Sequence, residues 1–268
     1  MALDSIDKLI AALAGSEKMR FYKPSISNAT IGQLHSLWRS NGFPTQGAIP
    51  TDAEICTDAL PGSWPLPVPG VGQKLYIGKL SASNSVICQM ILWDRLSAMG
   101  GLAGNVATLQ TVNLDIAAAA AAGRCGADGS GVLWGLEWYA DTGSTAVTAT
   151  ITYTNDDDVS GRVTTVALAA TRRSSTVLPI LPNVSDKRIK SIQSVQLSAT
   201  TGTAGNFGVT ARRRVAELPI PIAGVGGIAD YAALALPDLI GSECLEVVIV
   251  AGTTSTGNLL GSFEVISA

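Results

Sequence analysis

Histidine is almost absent from this chain: His35 is the only one in 268 residues. A single imidazole rules out the usual Cys/His zinc site and leaves any Ser-His-Asp arrangement one choice of base. The four cysteines, Cys56, Cys88, Cys125 and Cys244, stand far apart with no CxxC spacing. Cys88 and Cys244 lie in apolar runs, where a buried free thiol is the expectation and a disulfide the alternative. Aromatic residues supply 5 % of the chain and charged residues 15 %, the latter against roughly 25 % in an average soluble protein. Long apolar runs are missing as well. The longest candidates, Ile116–Ala122 and Val247–Ala251, fall well short of the roughly 18 residues that cross a bilayer. Asp4 and Asp7 precede Lys8, where a secretory leader would carry a basic start. No membrane partner is expected.

What is present is a hydrophobic fraction of 47 %, mostly Ala, Val, Leu and Ile, interspersed with 28 glycines and many Ser and Thr. Such a chain is too apolar to stay disordered, and its net charge of −3 excludes a generally basic nucleic-acid binder. So little charge implies that part of the surface is covered by neighbours rather than by water.

The first 40 residues read as helical. Leu3, Ile6, Leu9, Ile10 and Leu13 recur at helical spacing before Gly15, and a second helix is expected from Asn28 or Thr30 to Ser40, with Ile31, Leu34, Leu37 and Trp38 as its stripe. From Phe43 to Gly72 the prolines at 44, 50, 61, 65, 67 and 69 favour an extended backbone that lies over something else. Residues 1–72 are accordingly expected to form a helical and extended arm, and residues 73–268 a separate domain. That domain shows short runs of period two, such as Val147, Ala149, Ile151 and Tyr153 facing opposite to the threonines between them. Strands are expected near 75–80, 86–93, 107–116, 132–139, 146–154, 162–169, 176–181, 191–199, 206–214, 244–251 and 259–266. The fold class is all-β, a jelly-roll-like β-sandwich. A short helix is expected at Ile228–Leu236, and Ala117–Ala122 fits either a helix or a packed strand end. Three Thr/Gly-rich segments, at 141–145, 200–203 and 253–257, read as turns.

No catalytic constellation emerges. His35 has no partner nucleophile in a recognisable elbow. Glu137 and Asp141 flank Trp138-Tyr139 as an acidic pair in a glycosidase would, but strand register turns Glu137 away from Trp138. Asn155-Asp156-Asp157-Asp158 lacks the spaced ligand order of a calcium loop and reads as a hairpin tip. Gly224-Val225-Gly226-Gly227 follows Pro219 and Pro221 rather than the strand a dinucleotide fingerprint needs. No catalytic, cofactor-binding or metal-binding residue is therefore expected, nor any cofactor. Charge is segregated. Residues 171–214 hold eight basic groups and one acidic, residues 96–170 net −5, and residues 215–268 net −6. These blocks either neutralise one another across strands or meet between subunits and fix register there. Nucleic-acid binding by the basic block ranks third, since it lacks stacking aromatics.

Several stretches resemble virion structural proteins of tailed bacteriophages: Leu92-Trp93-Asp94-Arg95-Leu96, Gly100-Gly101-Leu102-Ala103-Gly104, Leu136-Glu137-Trp138-Tyr139, Ser198 through Thr210, and Gly252–Gly261. The resemblance covers roughly residues 86–268. It implies a head-associated capsid decoration (cement) or minor capsid protein without enzymatic activity, located in the virion and assembled in the host cytoplasm. Its partners would be the major capsid protein or other virion proteins, and further copies of itself as trimers or around capsomers. The alternative is a tail, neck or fibre module that holds host-surface glycan on Trp134, Trp138, Tyr139 or Tyr153, or binds another virion protein.

Overall fold

The computed structural model describes residues 5–268. The expected first helix forms as α1 (Ile6–Ala14), with the Ser5 hydroxyl accepting from the Lys8 N–H at 3.4 Å and Gly15 closing its end. Leu3 and Asp4 lie outside the described residues. Two strands follow, β1 (Glu17–Lys23) and β2 (Leu34–Ser36), and the Pro-rich connector contributes β3 (Glu54–Ile55). Next come β4 (Leu75–Asn84), β5 (Cys88–Ala103), β6 (Gln110–Asp115), the short helix α2 (Ala117–Ala121) and β7 (Val132–Trp138). The chain continues through β8 (Val147–Asn155), β9 (Arg162–Leu168), β10 (Thr176–Ile180), β11 (Ile189–Leu197) and β12 (Asn206–Ile220). It ends with β13 (Gly227–Asp230), α3 (Tyr231–Leu234), β14 (Asp238–Leu239), β15 (Leu245–Ala251) and β16 (Leu259–Ser267).

The fold is all-β, and six of its strands close a ring. β5 pairs with β12, β12 with β7, β7 with β10, β10 with β2, and β2 with β15, which returns to β5, every pairing antiparallel. A sheet closed in this way is a barrel. β3 adds to β5 beside the ring, and the remaining strands form two sheets against its outer wall, β1-β16-β4-β13 with β14 beside β4, and β6-β11-β8-β9. The layers stack in sandwich fashion, and the middle one is the barrel.

Two cores hold the layers together. Leu75, Ile77 and Leu80 of β4 and Phe263 of β16 meet Leu92 of β5 and Val247 and Ile249 of β15. On another part of the wall, Ile151 and Tyr153 of β8 and Ile192 of β11 meet Trp134, Leu136 and Trp138 of β7 and Phe207 of β12. A fully buried side chain of this size contributes roughly 1.5–3 kcal/mol. Barrel strands are thus buried on both faces, which is why Met90-Ile91-Leu92-Trp93 is a continuous apolar run rather than an alternation.

The second expected helix does not form. Gly32 takes φ +76°, and the chain then enters the barrel as β2 between β10 and β15. The spacing of Ile31, Leu34, Leu37 and Trp38 suits a helix, but closing the ring overrides that local preference. Of the segment expected as an arm at 1–72, the described residues 5–72 are not separate: β2 is a stave of the barrel, and β1 runs beside β16 with Glu17 opposite Val265. The Pro-rich connector folds back on its own chain. Trp64 is buried edge-on against Phe21 and Phe263, ring centres 6.1 and 5.1 Å away, and its indole N–H donates to the Arg20 carbonyl at 2.8 Å. Lys23, also buried, donates to the Pro44 carbonyl at 2.8 Å and to that of Ser40 at 3.3 Å. Of the segment expected as a helix at 228–236, the first part is β13 and only 231–234 is helical. The alanine run resolves as α2.

Candidate functional site

The densest polar constellation lies inside the barrel. Alternation along β7 sends Trp134, Leu136 and Trp138 to the outer core, so Glu137 points inward. There Glu137 Oε2 accepts from Arg95 Nη1 of β5 at 2.7 Å and from Arg212 Nη2 of β12 at 2.6 Å. Glu246 of β15 accepts from Arg95 Nη1 at 3.2 Å, from Arg212 Nε, and from the Ser36 hydroxyl of β2 at 3.2 Å. Tyr139 donates to Glu137 at 3.2 Å and accepts from Arg95 Nη2 at 3.0 Å. Arg212 also donates to the Thr210 hydroxyl. Five staves therefore meet through one group of two guanidiniums and two carboxylates. The Arg95 guanidinium lies 4.9 Å from the centre of the Trp38 ring, a cation–π contact.

All four charged side chains are at most 1 % exposed. Burial opposes the charge on Glu137, but the facing Arg95 and Arg212 outweigh it and hold the carboxyl down at about 2. Burial likewise opposes charge on Arg95 and Arg212, and the two carboxylates reverse it, keeping both guanidiniums more firmly charged than usual. The Tyr139 phenol is pushed up by burial and by Glu137. Glu137, Arg95, Arg212 and Tyr139 neither take up nor release a proton near neutrality. The nearest cavity, bordered by Trp38, Cys56, Arg95 and Ala98, measures about 10 Å³ and has no room for a substrate. What the arrangement does is lock staves together.

A second group sits where the barrel wall meets the connector. Asp94, fully buried, accepts from Arg124 Nε at 3.0 Å and from the Cys244 N–H at 3.1 Å, with Arg213 3.7 Å away. Arg124 also donates to the Cys56 carbonyl at 2.6 Å, tying the connector to β5. Glu243 accepts from the N–H groups of Ile240 and Gly241 at 2.6 and 3.0 Å. Burial and the Asp94 charge raise its carboxyl pKa above the ordinary value, despite those bonds.

The residues singled out from sequence are dispersed. His35 lies on β2, not on a helix, and is fully buried; its Nε2 accepts from the Thr30 N–H at 3.0 Å, which leaves Nδ1 to donate to the Ser175 hydroxyl at 3.0 Å. Burial lowers its pKa. Glu137 and Asp141 do not form a pair, since Asp141 is half-exposed and binds Arg173 at 2.8 Å. Asn155 Oδ1 accepts from the Asp157 and Val159 N–H groups at 3.1 and 2.9 Å, as in a hairpin tip. Gly224 turns the chain at φ +75° ahead of β13. Trp134, Trp138 and Tyr153 are buried, and only Tyr139 is partly exposed, so these rings build no glycan platform. Cys88 and Cys244 are buried and free. Sequence reasoning missed Arg95, Arg212, Glu246 and Ser36, although a lone charge inside the apolar run Leu245–Ala251 marks Glu246.

The opposite charge blocks meet within the chain. Besides Arg212, the basic block pairs Arg173 with Asp141, Arg188 with Asp128, Lys190 with Asp158, and Arg213 with Asp94 and Glu243. A surface depression of about 510 Å³ lies beside α2 and is lined by Ala117, Ala120, Ala121 and Ala127, with Lys190 and Asp158 on its border. Among the described residues no group of three or more His, Cys, Asp or Glu side chains is arranged to hold a metal ion, and no helix is long and apolar enough to cross a membrane.

No protein-family model and no curated protein matches the chain. Among solved structures it aligns with a mutant VP2 protein of infectious bursal disease virus in T=1 particles, at 10 % identity over 94 % of this chain and 77 % of that one, with a TM-score of 0.18. A likeness that slight carries no argument.

Proposed function

We propose that this chain is a structural subunit of a tailed-phage virion, a decoration or minor capsid protein that binds the major capsid protein and further copies of itself. The observation that carries the reading is the disposition of polar chemistry. The strongest charge constellation is neutralised inside a barrel, and the cavity that borders it measures only about 10 Å³, which suits a rigid building block better than a reactive one. The surface, poor in charge, leaves large apolar side chains such as Ile31, Val184 and Ile228 in water, and these gain burial only against another molecule. The resemblance of residues 86–268 to phage head proteins directs the assignment to the virion. In this reading the protein is not an enzyme, needs no cofactor and does not contact nucleic acid.

The test is quantitative mass spectrometry and negative-stain microscopy of particles with and without the protein. A copy number matching the capsomers, with regular knobs on the shell, is the expected result. A copy number matching a single ring at one vertex would transfer the protein to the neck or tail. Absence from particles would overturn the virion reading.

A further inference from the structure

A β-sheet edge left open in water is a template for another strand, and most edges here are closed. The outer edge of β1 is capped by Phe43, which exchanges two backbone bonds of 2.8 Å with Tyr22, and by the Trp64 indole on the Arg20 carbonyl. At the edge of β6 the Ser97 hydroxyl donates to the Asp115 carbonyl at 2.8 Å. β13 is four residues long and runs straight into α3. The half of β12 that lacks β7 carries Pro219.

β9 is different. It pairs with β8 on one side only and spans seven residues, Arg162-Val163-Thr164-Thr165-Val166-Ala167-Leu168, with no proline and a charge only at its first position. The orientation of its backbone can be derived. Ser198 N–H donates to the Thr148 carbonyl at 2.9 Å, so Thr148 and its even-numbered companions on β8 face β11. The odd residues of β8 then bond to 162, 164, 166 and 168, and residues 163, 165 and 167 present N–H and C=O groups outward. Asn183 Nδ2, at 3.4 Å from the Val163 carbonyl, reaches it from that outer side. Among the described residues this is the one partner found for these six outward groups. Beside the edge, Val159, Val163, Leu181 and Val184 are exposed. The 181–186 segment is anchored there by Asp186, which accepts from Arg162 Nε at 2.9 Å and from Asn155 Nδ2 at 3.0 Å.

We propose that β9 is a homodimerisation edge: two copies of the chain pair their β9 strands antiparallel about a two-fold axis at Thr165, joining two four-stranded sheets into one of eight. The sequence is complementary to itself in that register. Thr165 faces Thr165, Val163 faces Ala167, and Arg162 faces Leu168, so no like charges are opposed. Because the same edge of both copies is used, the pairing closes on itself as a two-fold rather than a three-fold ring. The inference deepens the proposed function by naming one self-contact, and it stands or falls separately from capsid binding.

The experiment is sedimentation velocity on the full-length chain, wild type beside Thr165→Pro. The proline removes an outward N–H and takes none from the β8 pairing, so the monomer keeps its fold, checked by circular dichroism. A wild-type dimer that becomes monomeric in the variant is expected. Should the proline variant misfold, Thr165→Lys sets two like charges face to face and is expected to dissociate the dimer equally. The positive control is Thr165→Cys oxidised with copper–phenanthroline, expected to give a covalent dimer, since directly opposed Cα atoms in a bonded pair lie about 5.5 Å apart. A wild-type monomer at the highest soluble concentration, or a dimer that survives both substitutions, overturns the proposal. Particle binding by a monomeric Thr165 variant would leave the virion reading intact, and a dimer that binds no particle would sink only that reading.

Discussion

Removing one member of a buried charge group strands the others. Glu137→Gln leaves Arg95 and Arg212 facing Glu246 alone inside the barrel, and breaking a buried pair costs about 3–5 kcal/mol. Chemical denaturation should show that loss, while Asp141→Asn at the half-exposed Arg173 pair should cost no more than about 1 kcal/mol. Acid acts on the same atoms. Glu137 is held at about 2 in the folded state, below its ordinary 4.5, so its stabilisation is complete above 4.5 and is lost as pH falls from there towards 2. His35 is lowered from 6.5, so below that value the unfolded chain takes the proton more readily and stability already begins to decline. Lys23, lowered from 10.5 to about 8, works in the alkaline range: stability rises across that window as the unfolded chain gives up its extra proton. Denaturation midpoints measured across these windows should trace an acid limb that steepens below 4.5. Among thiols, Cys125 is partly exposed and the other three are buried. A thiol reagent should therefore modify Cys125 alone in the native protein and all four cysteines after denaturation.

At the scale of elements, the sequence was most legible where strands are long and alternate. The runs in β8 and the end of β11 announce themselves by period two and β-branching, as Val147, Ala149, Ile151 and Tyr153 do against the threonines between them. β2 was illegible because its three residues carry no period of their own; the strands of β10 and β15 on either side impose its state. The charged group was half-legible. Glu246 stands out within Leu245–Ala251, yet only the ring of pairings brings it to Arg95 and Arg212 from stretches far away in sequence. The connector was misread for a related reason: its prolines do forbid regular pairing, but they leave Trp64 free to plug the sheet beside Phe21 and Phe263. Deleting residues 1–72 removes a barrel stave and that plug together, so the truncated chain should be insoluble or lack a cooperative unfolding transition. Trp64→Ala alone should cost about 3–5 kcal/mol, as for other buried aromatics, read from the shift in denaturation midpoint.

For the whole molecule, a central barrel clasped by two sheets divides the labour between interior and surface. Charge is consumed inside and between neighbouring strands, which leaves the exterior to shape, backbone edges and scattered apolar groups. A chain so built should resist salt: its densest ion pairs are shielded from counter-ions that screen exposed charges within about 10 Å at ~0.1 M ionic strength. Raising salt should therefore leave the unfolding midpoint of the isolated protein nearly unchanged.

The placing of β1 and β2 beside β16 and β15 also sets a timetable. At a synthesis rate of roughly 5–20 residues per second, the opening strands wait on the order of 10–45 s for their partners to leave the ribosome. Until then neither the ring nor the first flanking sheet can be finished, and the long β5 awaits β12 for much of that time. Newly made chains must cross this interval with unpaired strands in a crowded cell, so chaperone demand should be set by the order of synthesis more than by the stability finally reached.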